Sequence, residues 1–137
     1  MKKKRLAAVL ALIICMCFVT GCGGDTRSAV RNIGESDVYT KMEIQSAMDK
    51  AESHFRRHFK GCTLTYIEYD EEYSQKRSDD WAENYEADEA IVLTSGFTVS
   101  KTGASPSLEP GGTYKNWNWV LTRNNGGMWK LQTWGYG

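Results

Sequence analysis

The segment YTKMEIQSAMDKAESHFRRHFKG, residues 39–61, carries the clearest helical pattern in the chain and decides its fold class. Thr40 stands three residues before Glu43, which is the spacing of a capping box. Apolar residues then recur every three or four positions, so the pattern predicts one amphipathic helix that ends near Lys60, with Gly61 as its left-handed cap. The predicted apolar stripe consists of Ile44, Ala47, Met48, Ala51, Phe55 and Phe59.

Outside this helix, most of the chain has the composition of strands and turns. Residues 62–69 and 90–100 are rich in β-branched and aromatic residues, and residues 114–123 and 128–134 predict a hairpin. A short helix is predicted within the polar segment 73–88. The predicted fold class is therefore α+β, with one long N-terminal helix packed on a curved four-stranded antiparallel sheet.

The register of the hairpin determines which aromatic side chains face the helix, because a shift of one residue turns every side chain to the other face. A symmetric two-residue turn would mix apolar and charged residues on one face, whereas a bulged turn sets Leu121 opposite Leu131. We therefore predict the bulged register. It gives a common face to Trp117, Trp119, Leu121, Trp129 and Leu131.

The first 22 residues have the pattern of an export signal. A basic run at residues 2–5 precedes an unbroken apolar stretch of 14 residues, which is too short to span a bilayer as a helix. The following Val-Thr-Gly-Cys, residues 19–22, resembles the bacterial lipobox, and that resemblance implies a diacylglycerol on the thiol of Cys22. We expect residues 1–21 to be a lipoprotein signal peptide, 22–37 a flexible stem and 38–137 a single α+β domain.

Charge and cysteine content limit the possible partners. The chain has 17 basic and 17 acidic residues, but four basic residues lie in the signal, so the remainder has a net charge of −4. This balance argues against nucleic acid as a partner.

Among the four cysteines, only Cys62 lies in the predicted domain, so the domain has no intrachain disulfide. Cys62 is expected to be a buried apolar residue.

Four segments of the predicted domain carry a family resemblance, and they are residues 88–93, 114–119, 126–129 and 134–136. They are similar to a family of small lipoproteins from Gram-positive anaerobes that have a cystatin-like or NTF2-like domain. The similarity covers most of residues 38–137, and it implies that fold without an activity or a catalytic residue.

His54 and His58 are four residues apart on the predicted helix and are the first candidates for chemistry. Two imidazoles are too few ligands for a metal site, and the neighbouring Arg56 and Arg57 would repel a cation, so we expect no metal and no cofactor. Helical geometry places His58 inside the apolar stripe and His54 at its edge. NTF2-like enzymes often place an Asp or His inside the cone between helix and sheet, which makes His58 the candidate acid or base.

Trp117 and Trp119 are the second set of candidates, because four tryptophans lie in the last 21 residues. Aromatic rings beside amide side chains can stack on the sugar rings of a cell wall. Large aromatic residues that alternate along a strand more often form the buried face of the sheet. Both interpretations stay open for Trp117 and Trp119.

The expected function is a non-enzymatic interaction module, tethered through Cys22 to the extracytoplasmic face of the cell membrane. Its expected partner is an envelope protein or a cell-wall component. The alternative is a small-molecule enzyme or ligand carrier that uses a pocket between helix and sheet, with His58 as the reactive group. A closed core around Met48, Phe55 and Trp119 would favour the first function, and an open cone reaching His58 would favour the second.

Overall fold

The computed structural model of the protein describes residues 23–136, so Cys22 and the predicted signal peptide lie outside the described residues. The described chain forms a single sheet with the strand order β1-β2-β3-β4-β5. Its elements are β1 (Val30–Asn32), α1 (Lys41–His58), β2 (Cys62–Glu68), α2 (Glu71–Asn84), β3 (Glu89–Val99), β4 (Thr113–Arg123) and β5 (Lys130–Gly135).

The prediction of one long helix on a four-stranded antiparallel sheet is wrong. The structure is an α+β fold with helices of 18 and 14 residues and a five-stranded mixed sheet. The fifth strand, β1, pairs in parallel with β2, while the other neighbouring strands are antiparallel. The three residues of β1 are too few for a periodic pattern, which is why the sequence does not reveal this strand.

Helix α1 begins and packs as its sequence predicts. The backbone N–H of Glu43 donates to Oγ1 of Thr40, and the backbone N–H of Thr40 donates to the Glu43 carboxylate, which completes the capping box. The helix ends at His58, because Phe59 adopts φ −104° and ψ 50° and leaves the helical conformation. All six residues of the predicted stripe, from Ile44 to Phe59, are buried against the sheet.

Helix α2 lies against the opposite face of the sheet, which the sequence analysis leaves uncovered. Asp70 caps it by accepting a hydrogen bond from the backbone N–H of Tyr73. The buried hydroxyl of Ser74 accepts a hydrogen bond of 3.0 Å from the backbone N–H of Val92 in β3. Small buried side chains thus let α2 approach the sheet closely, and Val92 and Val120 are buried on this second face.

The predicted register of the hairpin is confirmed at its centre, where Leu121 pairs with Leu131. Trp119, Leu121 and Trp129 belong to the core beneath α1, and Trp117 and Leu131 pack against it. Beyond Leu131 the register shifts, so Thr133 pairs with Val120 and Gln132 forms a bulge. The bulge changes which face the last residues of β5 occupy.

Residues 23–37, predicted to be a flexible stem, are packed on the domain. The backbone N–H of Gly24 donates to the carbonyl of Arg56, and Asp25 bridges to Thr63 before β1 joins the sheet. The Arg31 guanidinium donates to the carboxylate of Glu52, a buried residue on α1. The folded unit therefore includes residues before 38. Within residues 23–136, no helix is long and apolar enough to cross a membrane.

Candidate ligand-binding cleft

An open cleft of about 490 Å³ lies beside the C-terminal end of α1. Its walls come from the last turn of that helix, from β4 and β5, and from the loop that joins β3 to β4. The loop carries both prolines of the chain, and each restricts one backbone torsion. The lining is predominantly aromatic and consists of His54, His58, Phe59, Ser105, Ser107, Leu108, Trp117 and Trp134.

Trp134 is the more accessible of the two tryptophans that line the cleft, because 42% of its surface is exposed whereas Trp117 is half-buried. Its ring lies 4.0 Å, between centroids, from the ring of His54. It is also stacked with Trp119 at 6.4 Å and an interplanar angle of 29°. The indole is thus supported from the protein side and open on the other, as a stacking platform requires.

Trp119, one of the two tryptophans for which the sequence left both a core position and a ligand contact open, is completely buried. Its Nε1 donates a hydrogen bond of 2.7 Å to the hydroxyl of Ser95, which is also buried. The ring therefore supports Trp134 and offers no surface to a ligand. Trp117, the second candidate, does line the cleft and is half-buried.

The two histidines line the same cleft, but their burial is the reverse of the prediction. His58 is exposed and His54 is half-buried, with ring centroids 4.4 Å apart. The reason is that α1 ends at His58, and the ring of Phe59 enters the core where the extended stripe would have placed His58. Within the described residues, no group of three or more His, Cys, Asp or Glu side chains is arranged to hold a metal ion.

The environment of His54 favours its neutral form. Burial lowers the pKa of the imidazole from its ordinary value, and the neighbouring His58 and Arg57 lower it further. Its Nε2 is buried and has no hydrogen-bond partner among the described residues, and the same is true of Nε1 of Trp117. The aromatic wall therefore contains two polar atoms whose hydrogen-bonding capacity is unused.

An aromatic cluster supports the other side of the cleft. The ring of Trp117 lies 5.8 Å from that of Tyr114 and 5.3 Å from that of Tyr136, both in edge-to-face contact. Tyr114 in turn stacks on Phe97 of the core at 5.0 Å. This chain of contacts joins the cleft wall to the core, which preorganises the wall for binding.

Cys62 takes no part in the cleft. It is a free, buried cysteine at the start of β2, and burial raises the pKa of its thiol. The thiol is therefore protonated at neutral pH and is packed as an apolar group.

Two candidates chosen from the sequence, Trp117 and His58, line the cleft. His54 was considered only as a metal ligand together with His58, and Trp134 only as one of four clustered tryptophans. Regular alternation along β5 from Leu131 would turn Trp134 to the face that α2 covers. The bulge at Gln132 reverses this alternation and brings Trp134 to the side of α1. The only signal for it in the sequence was the cluster of tryptophans itself.

The cleft has the composition of a binding site for a ring-bearing ligand. Aromatic walls supply apolar contact, and hydroxyl and ring-nitrogen groups supply hydrogen bonds that fix orientation. No protein-family model matches the chain, and no curated protein or solved structure gives a significant match.

Proposed function

We propose that this protein is a non-enzymatic binding module, held by a lipid on Cys22 at the outer face of the cell membrane, whose cleft receives a cell-wall component. The observation that carries the proposal is the exposed, supported ring of Trp134 beside Trp117. A large aromatic residue at the mouth of a cleft is costly to expose to water unless a ligand covers it. The flat face of a sugar ring is suited to cover such an indole.

The closed interior supports the same proposal. Met48, Phe55 and Trp119 are each fully buried, so the space between α1 and the sheet is a packed core and not a cone. The cleft lies beside that core, at the end of the helix. Binding can then occur without opening the fold.

The alternative, an enzyme or ligand carrier that uses His58, has one observation in its favour, since the cleft does reach this side chain. General acid–base catalysis usually needs a second group to orient or complement the imidazole. Among the described residues that line the cleft, none is acidic. The binding module is therefore the better supported of the two.

Retention on purified cell-wall glycan tests the proposal. The detergent-solubilised full protein should be retained, and Trp134→Ala should reduce its affinity at least about tenfold, as expected for an aromatic anchor. Trp81→Ala is the matched control, because Trp81 lies on α2 and stacks on Tyr85 outside the cleft. Retention that is unchanged by Trp134→Ala, or equally reduced by Trp81→Ala, would contradict the proposal.

A further inference from the structure

A set of cations extends the cleft along the groove between α1 and β5. Lys50 and Arg57 lie on α1, and Lys130 is the first residue of β5; we call these three residues the basic strip. They line a second depression of about 330 Å³ that shares His54 with the aromatic cleft. All three are exposed, and none of them forms an ion pair with another residue between positions 23 and 136.

The positive charge of the basic strip is a local feature. Beyond residue 21 the chain has an excess of four acidic residues. The carboxylates on α1 nearest to the strip in sequence, Asp49 and Glu52, are both paired with Arg31. In the part of the chain that the structure describes, no acidic side chain lines either depression. A groove lined by one sign of charge attracts ligands of the opposite sign.

We infer that the ligand of the cleft is an acidic glycan, with one sugar ring stacked on Trp134 and its acidic groups paired with the basic strip. This inference rests on the proposed function and names the class of ligand. Arg57 presents a planar fork that matches the oxygens of a carboxylate or phosphate, and Lys130 supplies a flexible point charge. Ser105 and Ser107 also line the cleft, and their hydroxyl groups form a hydrogen bond of 2.9 Å with each other.

The structure favours a glycan over an acidic peptide. A peptide would bind most simply by adding a strand to the free edge of β5. The bulge at Gln132 interrupts the regular ladder on this strand, and Lys130 stands on the same strand, both of which are features that protect sheet edges from pairing. The wide aromatic wall remains available, and it suits a ring.

The half-buried imidazole of His54 lies between the two depressions. Burial lowers its pKa, and the neighbouring His58 and Arg57 lower it further. Lys50 and Lys130 line the same groove. The positive charges that meet an acidic ligand are therefore those of the basic strip.

Calorimetric titration of the detergent-solubilised full protein with three probes tests the inference. The probes are a galacturonic acid tetramer, an oligomer of N-acetylglucosamine joined by phosphodiesters and the neutral chitin tetramer, which separate carboxylate, phosphodiester and uncharged ligands that all carry sugar rings. We expect at least one acidic probe to bind about tenfold more tightly than the neutral probe at low salt, and this advantage to shrink as the ionic strength rises. Equal affinity for acidic and neutral probes would overturn the inference and leave the proposed function standing.

Variants assign the contact to the groove. The double variant Arg57→Gln/Lys130→Gln should weaken the acidic probe about three- to tenfold and leave the neutral probe unchanged. Lys76→Gln on α2 is the control, since it removes a positive charge outside the groove and should alter neither affinity. If the double variant binds the acidic probe with unchanged affinity, the ligand class is refuted and the cleft is not. If Trp134→Ala still binds every probe with unchanged affinity, the cleft is refuted as well. Tighter binding of an acidic hexapeptide than of either acidic glycan would also overturn the inference.

Discussion

At the scale of single residues, the stacked indoles of Trp119 and Trp134 have different roles, one in the core and one at the cleft. Trp119 is fully buried, donates to Ser95 and stabilises the core. Trp134 covers it and keeps 42% of its own surface exposed. The free energy of folding therefore depends mainly on the inner ring, and binding depends mainly on the outer ring.

Truncation of the two rings should separate these tasks. Trp119→Ala should lower the free energy of unfolding by about 3–5 kcal/mol, the usual cost of removing a buried aromatic side chain. Trp134→Ala should cost about 1 kcal/mol, the ordinary scale for a partly exposed position. Urea denaturation measures both, and Trp119→Phe provides a milder variant if Trp119→Ala does not fold. Equal losses for Trp119→Ala and Trp134→Ala would contradict the division of roles.

The pKa of His54 makes the stability of the fold depend on pH. Because that pKa is lowered in the folded state, the unfolded chain binds more protons below about pH 6.5, and the folded state loses stability as the pH falls. The free energy of unfolding should decrease between about pH 7 and pH 5, and this decrease should be smaller in His54→Gln. His58→Gln should reduce the decrease only in part, because it removes one of the groups that lower the pKa of His54 and leaves the burial of the imidazole in place. An identical pH profile for the protein and His54→Gln would count against this account.

At the scale of elements, the segment around β1 changes the limits of the domain. Arg31 on this strand donates to Asp49 and Glu52 of α1, and Glu52 is buried. A buried carboxylate without its partner keeps its desolvation cost and loses the compensating hydrogen bond. The pairing of β1 with β2 therefore depends on this contact as well as on the backbone ladder.

Arg31→Gln should reduce the free energy of unfolding by about 1–3 kcal/mol. The control is Arg27→Gln, since the side chain of Arg27 is 88% exposed and pairs only with its neighbour Asp25. That control should cost less than about 1 kcal/mol. Urea midpoints for the two variants give the comparison. If Arg31→Gln were as mild as Arg27→Gln, residues 23–37 would not contribute to the fold as the contacts indicate.

The same elements show what the sequence can and cannot predict. The capping box at Thr40, the apolar stripe of α1 and the central register of the hairpin follow from local patterns that repeat over several residues. The structure confirms all three of these features. By contrast, β1 is held by contacts with residues more than 30 positions away, such as Tyr66 and Ile67, and no local pattern reports such contacts.

The residues of the candidate site could likewise be predicted only where a local pattern determines their position. Two of the candidates chosen from the sequence, His58 and Trp117, line one cleft. The participation of Trp134 depends on a single bulged residue, Gln132, whose position is set by pairing between strands. One bulge reverses the facing of every residue after it, so simple alternation failed at this point.

At the scale of the whole molecule, the proposed lipid on Cys22 would lie close to the folded domain, because the residues from position 23 onward pack on that domain. Gly24 is hydrogen-bonded to the end of α1, next to the cleft-lining His54 and His58 in sequence. The tether would thus hold the cleft close to the membrane surface, which raises its effective concentration toward ligands there.

Cys22→Ala should remove the anchor and move the protein from the membrane fraction to the soluble or secreted fraction. Two acyl chains bind a membrane stably, whereas the acidic net charge of the domain provides no electrostatic attraction to anionic lipid. Fractionation after washing with high salt and carbonate measures this change, and Cys62→Ala is the control that should stay in the membrane fraction. A Cys22→Ala protein that remains there after both washes would contradict the anchor.

The most direct test of ligand binding in the aromatic cleft is NMR of the indole N–H signals of the five tryptophans. Spectra are recorded with and without an acidic oligosaccharide. Trp134 and Trp117 line the cleft, and Trp81 lies on α2 outside it. We expect the ligand to shift the signals of Trp134 and Trp117 and to leave that of Trp81 in place. A ligand that shifts Trp81 while Trp134 and Trp117 stay unchanged would contradict the claim that this cleft is the binding site.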